Sequence, residues 1–410
     1  MRILIATSHR NLVGGVEKYL QAVIPALAHR GHQLGLLYEN RPDPAVESID
    51  SPEAALSACC IAEVGWDRAL RFAADFKPDV VYSHGLADTA LQTALLDKYP
   101  NVLYAHNYLG TCATGQKCHA FPVAQPCDRQ FGPACLLLHY PRRCGGLHPG
   151  TMFKMYRISA EMNRHLRYYR AVLVASSHMH REFQRHGVPS DRLHLVPLPN
   201  TGAISSDATV RMASRGRILF MGRLTKLKGV AHLLRAIPIA ARKLAQPLPV
   251  TIAGDGPERR KLQALAQELA VSAEFLGWVP TERKSDLLRE ADLLAVPSLW
   301  PEPFGLVGIE AGAHGLPAVA YNVGGIRDWL IPGQSGELAP GDPPTVEGLA
   351  DALVRGLRDP DHYSNLCRGG RQMAARFNLD AHLSQLEDVL AAAVKTSIPA
   401  FDSTVERIHA

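Results

Sequence analysis

Short apolar runs alternate with amphipathic stretches along this chain, and the alternation predicts repeated strand–helix–strand units that build parallel sheets. In the first half, Ile3–Thr7, Gln33–Tyr38, Asp79–Ser83, Val102–His106 and Val172–Ser176 read as strands. Their length and β-branched content suit buried parallel strands better than helices. Helical patterns lie between them, as at Val16–Arg30 and Ala87–Lys98. A second series of the same kind runs through Arg217–Met221, Val250–Ala253, Glu274–Leu276, Leu293–Val296 and Ala318–Tyr321. Between the two series, Pro197–Ser206 is rich in Pro, Gly and Ser, the composition of a hinge.

The expected architecture is α/β, with two doubly wound Rossmann-like domains facing each other across a cleft. The first spans 1–199 and the second 216–380. Residues 200–215 link them, and a C-terminal helix (His382–Thr396) and loose tail lie within 381–410. Ligands of such sheets bind beyond the carboxyl ends of the strands, so the facing strand ends define a crevice. Residues 107–150 fit neither pattern and read as an ordered insertion or long loop.

The chain has 410 residues, enough for two cores, and its 47% hydrophobic and 20% charged content is that of a globular protein. A formal charge of +5 permits attraction to phosphates or an anionic membrane face. No dense Lys/Arg run with interleaved aromatics marks a nucleic-acid partner. The opening Arg2–Thr7 is too short for a signal peptide or a spanning helix. The expectation is a cytoplasmic chain whose eight cysteines stay reduced.

Chemistry concentrates at strand exits. Pro301-Glu302-Pro303-Phe304-Gly305-Leu306-Val307-Gly308-Ile309-Glu310 follows a strand and opens a helix. A helix start receives phosphate oxygens well, and its two carboxylates can accept sugar and ribose hydroxyls. Spacing alone fits two solvated surface carboxylates equally. Gly222-Arg223-Leu224-Thr225-Lys226-Leu227-Lys228-Gly229 leaves the first strand of the second series. It is either a solvated basic turn or a phosphate grip made of an Arg fork and a Lys point charge. Gly254-Asp255-Gly256-Pro257 is a tight turn into a helix. In the first half, Val13-Gly14-Gly15-Val16-Glu17-Lys18 enters the first helix, and His106 ends a strand at the crevice, with His84 a second, weaker candidate. A plain helix entry and a merely hydrogen-bonded histidine remain open for these.

The Glu-x7-Glu element, the Gly-Arg-x4-Lys-Gly turn, Ala253–Pro257 and Asn322-Val323-Gly324-Gly325-Ile326 occur in one order. In this the chain resembles the retaining glycosyltransferases of the B-type two-Rossmann fold, in the family numbered four. The resemblance implies that Arg223 and Lys228 neutralise the diphosphate of a nucleotide-diphosphate-sugar donor. Glu310 would then hold the ribose hydroxyls and Glu302 the transferred sugar. The backbone at Phe304, Gly305 and Leu306, with Gly14 and Gly15, would meet the donor, and His106 would line the reaction site. It further implies front-face retention, with no cofactor or metal required because Arg and Lys do that work. The acceptor class would be a glycan, a lipid-linked sugar or a small molecule. A nucleotide-sugar 2-epimerase and a non-catalytic binding module share the fold and stay as alternatives.

Cys112, Cys118, Cys127, Cys135 and Cys144 fall within 33 residues, with His119, His139 and His148 among them. Their spacings exceed those of zinc knuckles. Reduced packed thiols, a structural zinc and disulfides are all open. Placed after His106, this insertion is expected to overhang the acceptor side. From Arg142 to Arg185 there are nine Arg/Lys against two Glu, and Thr151–Arg170 is amphipathic with Phe153, Tyr156, Tyr168 and Tyr169. Such a helix either lies on anionic lipid or is a solvated face with buried aromatics.

Overall fold

The computed structural model describes residues 1–50, 56–200, 202 and 216–395. Fifteen strands occur among them. Those of the first half are β1 (Arg2–Thr7), β2 (Gln33–Tyr38), β3 (Ser57–Cys60), β4 (Val80–Ser83), β5 (Asn101–Ala105), β6 (Cys118–His119), β7 (Gln125–Pro126), β8 (Ala171–Val174) and β9 (Leu193–Leu195). The second half adds β10 (Ile218–Met221), β11 (Val250–Ala253), β12 (Ala273–Gly277), β13 (Leu293–Val296), β14 (Ala318–Tyr321) and β15 (Gly336–Ala339). One sheet has the order β3-β2-β1-β4-β5-β8-β9 and the other β12-β11-β10-β13-β14-β15. Every pairing in both is parallel. The strand order therefore reverses beside β1 in one sheet and beside β10 in the other, the two places where crevices form.

Burial explains why these runs are strands. Ile3, Ile5, Leu36, Val80, Tyr82 and Val102 are wholly buried in the first sheet, as are Ile218, Ile252, Leu293 and Val319 in the second. Helices cover both faces, so consecutive residues of a strand must be apolar. The ten strands expected from the sequence all form, with ends shifted by a residue or two. The edge strands β3, β9 and β15 were not expected. The insertion is also more regular than its sequence suggests. It carries the antiparallel ribbon β6–β7 and the helix Ala134–Arg142, followed by the helix Pro149–His165. Of the expected linker 200–215, residues 201 and 203–215 lie outside the described residues, as does the tail after Ile398.

The last helix, Leu379–Lys395, returns to the first sheet's side of the molecule. His382 Nε2 meets Tyr19 Oη at 2.8 Å, and Arg30 and His32 both reach Glu387, at 2.6 and 2.7 Å. Arg170 donates to the Ala393 carbonyl at 2.9 Å. This helix ties the end of the described chain to its beginning.

Candidate active site

Strand exits from both sheets line one cavity of about 290 Å³. It is formed by Gly15, Val16, His106 and Leu198 on one side. Phe220, Lys228, Ser298, Trp300, Glu302 and Phe304 to Val307 form the other. Seven residues singled out in the sequence thus meet here: Gly15, His106, Lys228, Glu302, Phe304, Gly305 and Leu306.

Glu302 is 5% exposed, and its Oε1 accepts from Lys228 Nζ at 2.6 Å, from Trp300 Nε1 at 2.9 Å and from Ser298 Oγ. Burying a carboxylate this deeply is costly unless such partners satisfy it. Lys228 also lies over the Trp300 ring, 5.4 Å from its centroid. The turn bearing Lys228 is fixed by Gly229, at φ +69°, where a Cβ would stand 1.7 Å from the Pro297 carbonyl oxygen. Only glycine permits that approach, which brings the Lys228 turn against the strand exit leading to Glu302. Gly305, at φ +91°, starts the helix Leu306–Ala313 with no side-chain cap, and Gly305, Leu306 and Val307 line the cavity at this helix start. Trp329 Nε1 holds the Phe304 carbonyl at 2.6 Å, which fixes the turn.

Glu310 sits a turn further along that helix, and Lys18 of the helix Gly15–His29 forms an ion pair with its Oε1. Lys284 stands beside both, and burial first and Lys18 second lower its pKa. Glu310 therefore bridges the two halves of the molecule. Gly15 faces open space, since a Cβ there would meet nothing within 4 Å.

His106 Nε2 lies 2.8 Å from His84 Nδ1, and the rings of Tyr19 and Tyr104 pack against His106. Burial, with a smaller contribution from His382, pushes the His106 pKa down to about 3. His84 is pushed well below its usual value by burial and by His106. Both imidazoles are neutral near pH 7. An unfolded histidine takes up its proton near pH 6.5, so below that value the unfolded chain binds more protons than the folded one. Stability from this pair is then complete above pH 6.5 and is lost as pH falls toward 3. Thermal unfolding followed from pH 7.5 to 5 is expected to show a falling midpoint, and His106→Gln a flatter dependence. An unchanged slope in that variant would contradict the buried neutral pair.

Not every expected residue joins the cavity. Gly14 and Arg223 are exposed and are not among its lining residues. Asp359-Pro360-Asp361 has Asp-x-Asp spacing, which the sequence reading did not single out, but it starts the helix Pro360–Ala375, with Asp359 accepting from the His362 N–H at 2.7 Å as a helix cap. Lys284, Ser298 and Trp300 escaped the sequence reading, and Lys18 was read at the first helix's entry without a role of its own. Lys18 was legible as the residue three after the Gly14–Gly15 pair, but its partner lies 292 positions away.

The model of the family described as Glycosyltransferase Family 4 matches residues 13–199, and that of Glycosyl transferases group 1 matches 209–373. The chain is 36% identical over 246 residues to a D-inositol 3-phosphate glycosyltransferase of Xylanimonas cellulosilytica, covering 54% of this chain and 57% of that protein. It is 31% identical over 224 residues to the phosphatidyl-myo-inositol mannosyltransferase of Mycobacterium tuberculosis, covering 52% and 57%. The matches thus span about half the length of these curated relatives. Among solved structures, Anabaena HepE in complex with UDP and glucose superposes with a TM-score of 0.70 at 17% identity, covering 96% of this chain and all of that one. Sucrose-phosphate synthase from Thermosynechococcus elongatus gives 0.71 at 21%, with the same coverage. These likenesses are to folds with two facing Rossmann-like domains.

Proposed function

The chain belongs to glycosyltransferase family 4, and from that premise we propose that it transfers a sugar from a nucleotide-diphosphate-sugar donor to an acceptor hydroxyl with retention of anomeric configuration. The observation that carries this reading is the Glu302 carboxylate. It is held by Lys228, Ser298 and Trp300 beside an uncapped helix start, in a cavity that strand ends of both sheets share. Such a cavity offers a cation and open N–H groups to a leaving diphosphate, a carboxylate to sugar hydroxyls, and the neutral His106 to the face of the transferred sugar. The UDP and glucose bound by HepE support a nucleoside diphosphate as the leaving group.

In this reading the second sheet's half, 216–380, holds the donor and the first, 1–199, presents the acceptor, with 200–215 as the hinge. Arg223, exposed on the same turn as Lys228, grips the diphosphate when donor binds. Relatives named for inositol phosphate and phosphatidyl-inositol support a phosphorylated or lipid-linked acceptor. No helix among the described residues is long and apolar enough to cross a membrane. Peripheral contact is supported instead by the exposed Leu137, Leu147 and Phe153 close in sequence to the exposed Arg142 and Arg143. The aromatic face itself is divided, since Tyr169 is buried while Phe153 is 54% exposed.

Glu310→Ala tests the donor side. A ribose contact made before and during reaction contributes equally to both states, so its loss raises the donor KM with little change in kcat. Calorimetry with the donor is expected to show weaker binding. Unchanged donor affinity would remove Glu310 from the site and leave it as the partner of Lys18 alone.

A further inference from the structure

The insertion between β5 and β8 holds a second cavity, of about 250 Å³, apart from the donor cavity. Cys112, Cys118, Cys127, Cys135 and Cys144 all line it, together with His119, Asp128, Arg129 and Arg142. The chain has eight cysteines, all of them free thiols, and five converge here from 33 residues of sequence. The ribbon does the gathering. It pairs Cys118 with Pro126, which sets Cys127 beside it, and the Cys127 N–H donates to the Lys117 carbonyl at 2.8 Å. Cys112 enters from the loop after His106, and Cys144 from the end of the helix Ala134–Arg142. Cys118 lies within electrostatic reach of Cys112, Cys127 and Cys144.

Three further features set this wall apart from an apolar one. The Lys117 N–H donates to Cys112 Sγ at 3.3 Å. Arg129 and Arg142 add positive charge at the wall. His119 is 8% exposed, and its Nδ1 has no hydrogen-bond partner, an uncommon state for a buried ring nitrogen. The frame is also fixed from outside. Lys117, 2% exposed, forms a buried ion pair with Glu182 of the helix Ser177–Arg185. A wall of small hydrophobes needs none of this, and five thiols packed only as apolar filler need not share one cavity.

We propose that this cavity is a thiolate metal site, in which Cys112, Cys118, Cys127 and Cys144 hold a thiophilic centre, zinc or an iron–sulfur cluster. Cys135 lines the same cavity from the first turn of the helix Ala134–Arg142, with Sγ 4.0 Å from the Gln130 carbonyl, and is left outside the proposed set. The same four-thiolate set serves either centre. No three His, Cys, Asp or Glu side chains among the described residues already converge on a single ion. One zinc draws each sulfur to about 2.3 Å from the ion, whereas an iron–sulfur cluster holds its thiolates further apart. Binding releases the ligand protons, so Cys118 gives up its present donation to the Leu299 carbonyl at 3.6 Å. Leu299 directly precedes Trp300, and the metal site thereby adjoins the loop that bears Glu302.

The test is metal and sulfide analysis of the full chain purified anaerobically without chelators, with free thiols counted in parallel. About one zinc per chain, or about four iron with four sulfide, supports the site and tells the two centres apart. The Cys112→Ser, Cys127→Ser double variant is expected to lose at least ~90% of the metal, while Cys59→Ser and Cys367→Ser, outside the cavity, keep it. Should the double variant fail to fold, metal-stripped wild type decides. It is expected to take back one centre, with a rise in its unfolding midpoint. Less than a tenth of an equivalent in fresh protein with no uptake afterwards, cysteines paired as disulfides, or full metal retention in a folded double variant would each overturn the proposal.

Discussion

Lys228→Ala is expected to lower turnover about 100- to 1000-fold, a loss of ~2.7–4 kcal/mol of transition-state stabilisation. In the proposed transfer the leaving nucleoside diphosphate would gain negative charge as its bond to the sugar breaks, so a fixed cation would be worth more then than in the ground state. Lys228 is positioned for this by the Gly229 turn and by its 2.6 Å contact with Glu302. Arg223→Ala is expected to cost a similar factor, and Arg223→Lys to recover little of it, because an ammonium cannot form the bidentate fork. Steady-state kinetics with donor and acceptor, beside a check that each variant folds, decide the matter. Near-wild-type turnover in both alanine variants would mean that the diphosphate binds elsewhere in the crevice.

Glu302→Gln is expected to be nearly as severe for turnover, about 100-fold or more by the same electrostatic reasoning, and also to be felt in stability. The amide keeps the size of the carboxylate but not the charge that faces Lys228. It can still accept from Ser298 or Trp300, but its own N–H groups then meet donors. Hydrogen bonds to a charged group are worth roughly 1.5–3 kcal/mol. The stability loss should fall in that range, below the full cost of breaking a wholly buried pair, because the Lys228 side chain is 29% exposed. Chemical denaturation and donor kinetics together check it. A variant with normal turnover and lowered stability would assign Glu302 to architecture alone.

The central strands were legible because burial on both faces forces a continuous apolar run, as in Ile218–Met221 or Leu293–Val296. The edge strands β3, β9 and β15 were not. Ser57-Ala58-Cys59-Cys60 is small and half exposed, and Gly336-Glu337-Leu338-Ala339 contains a glycine and a carboxylate. Glu337 tolerates its burial only through Arg355 and His362, at 2.9 Å each, which no local pattern announces. The site divides the same way. Motifs local to one loop, such as the Glu-x7-Glu element, could be read directly. The Lys228–Glu302 pair joins residues 74 apart and the Lys18–Glu310 bridge residues 292 apart, so only the packed chain displays them. The cysteine segment had spacings wider than zinc knuckles, which left packed thiols, a structural zinc and disulfides all open, because folding, not sequence proximity, brings its five sulfurs to one cavity.

The most direct test of retaining transfer is proton NMR of the reaction itself, with the chain, a panel of nucleotide-diphosphate sugars, and phosphorylated or lipid-linked acceptors. The account predicts release of nucleoside diphosphate coupled to a new glycoside whose anomeric configuration matches the donor's, and loss of both signals in Lys228→Ala. A product of inverted configuration, or a donor converted to its epimer without transfer, would contradict it.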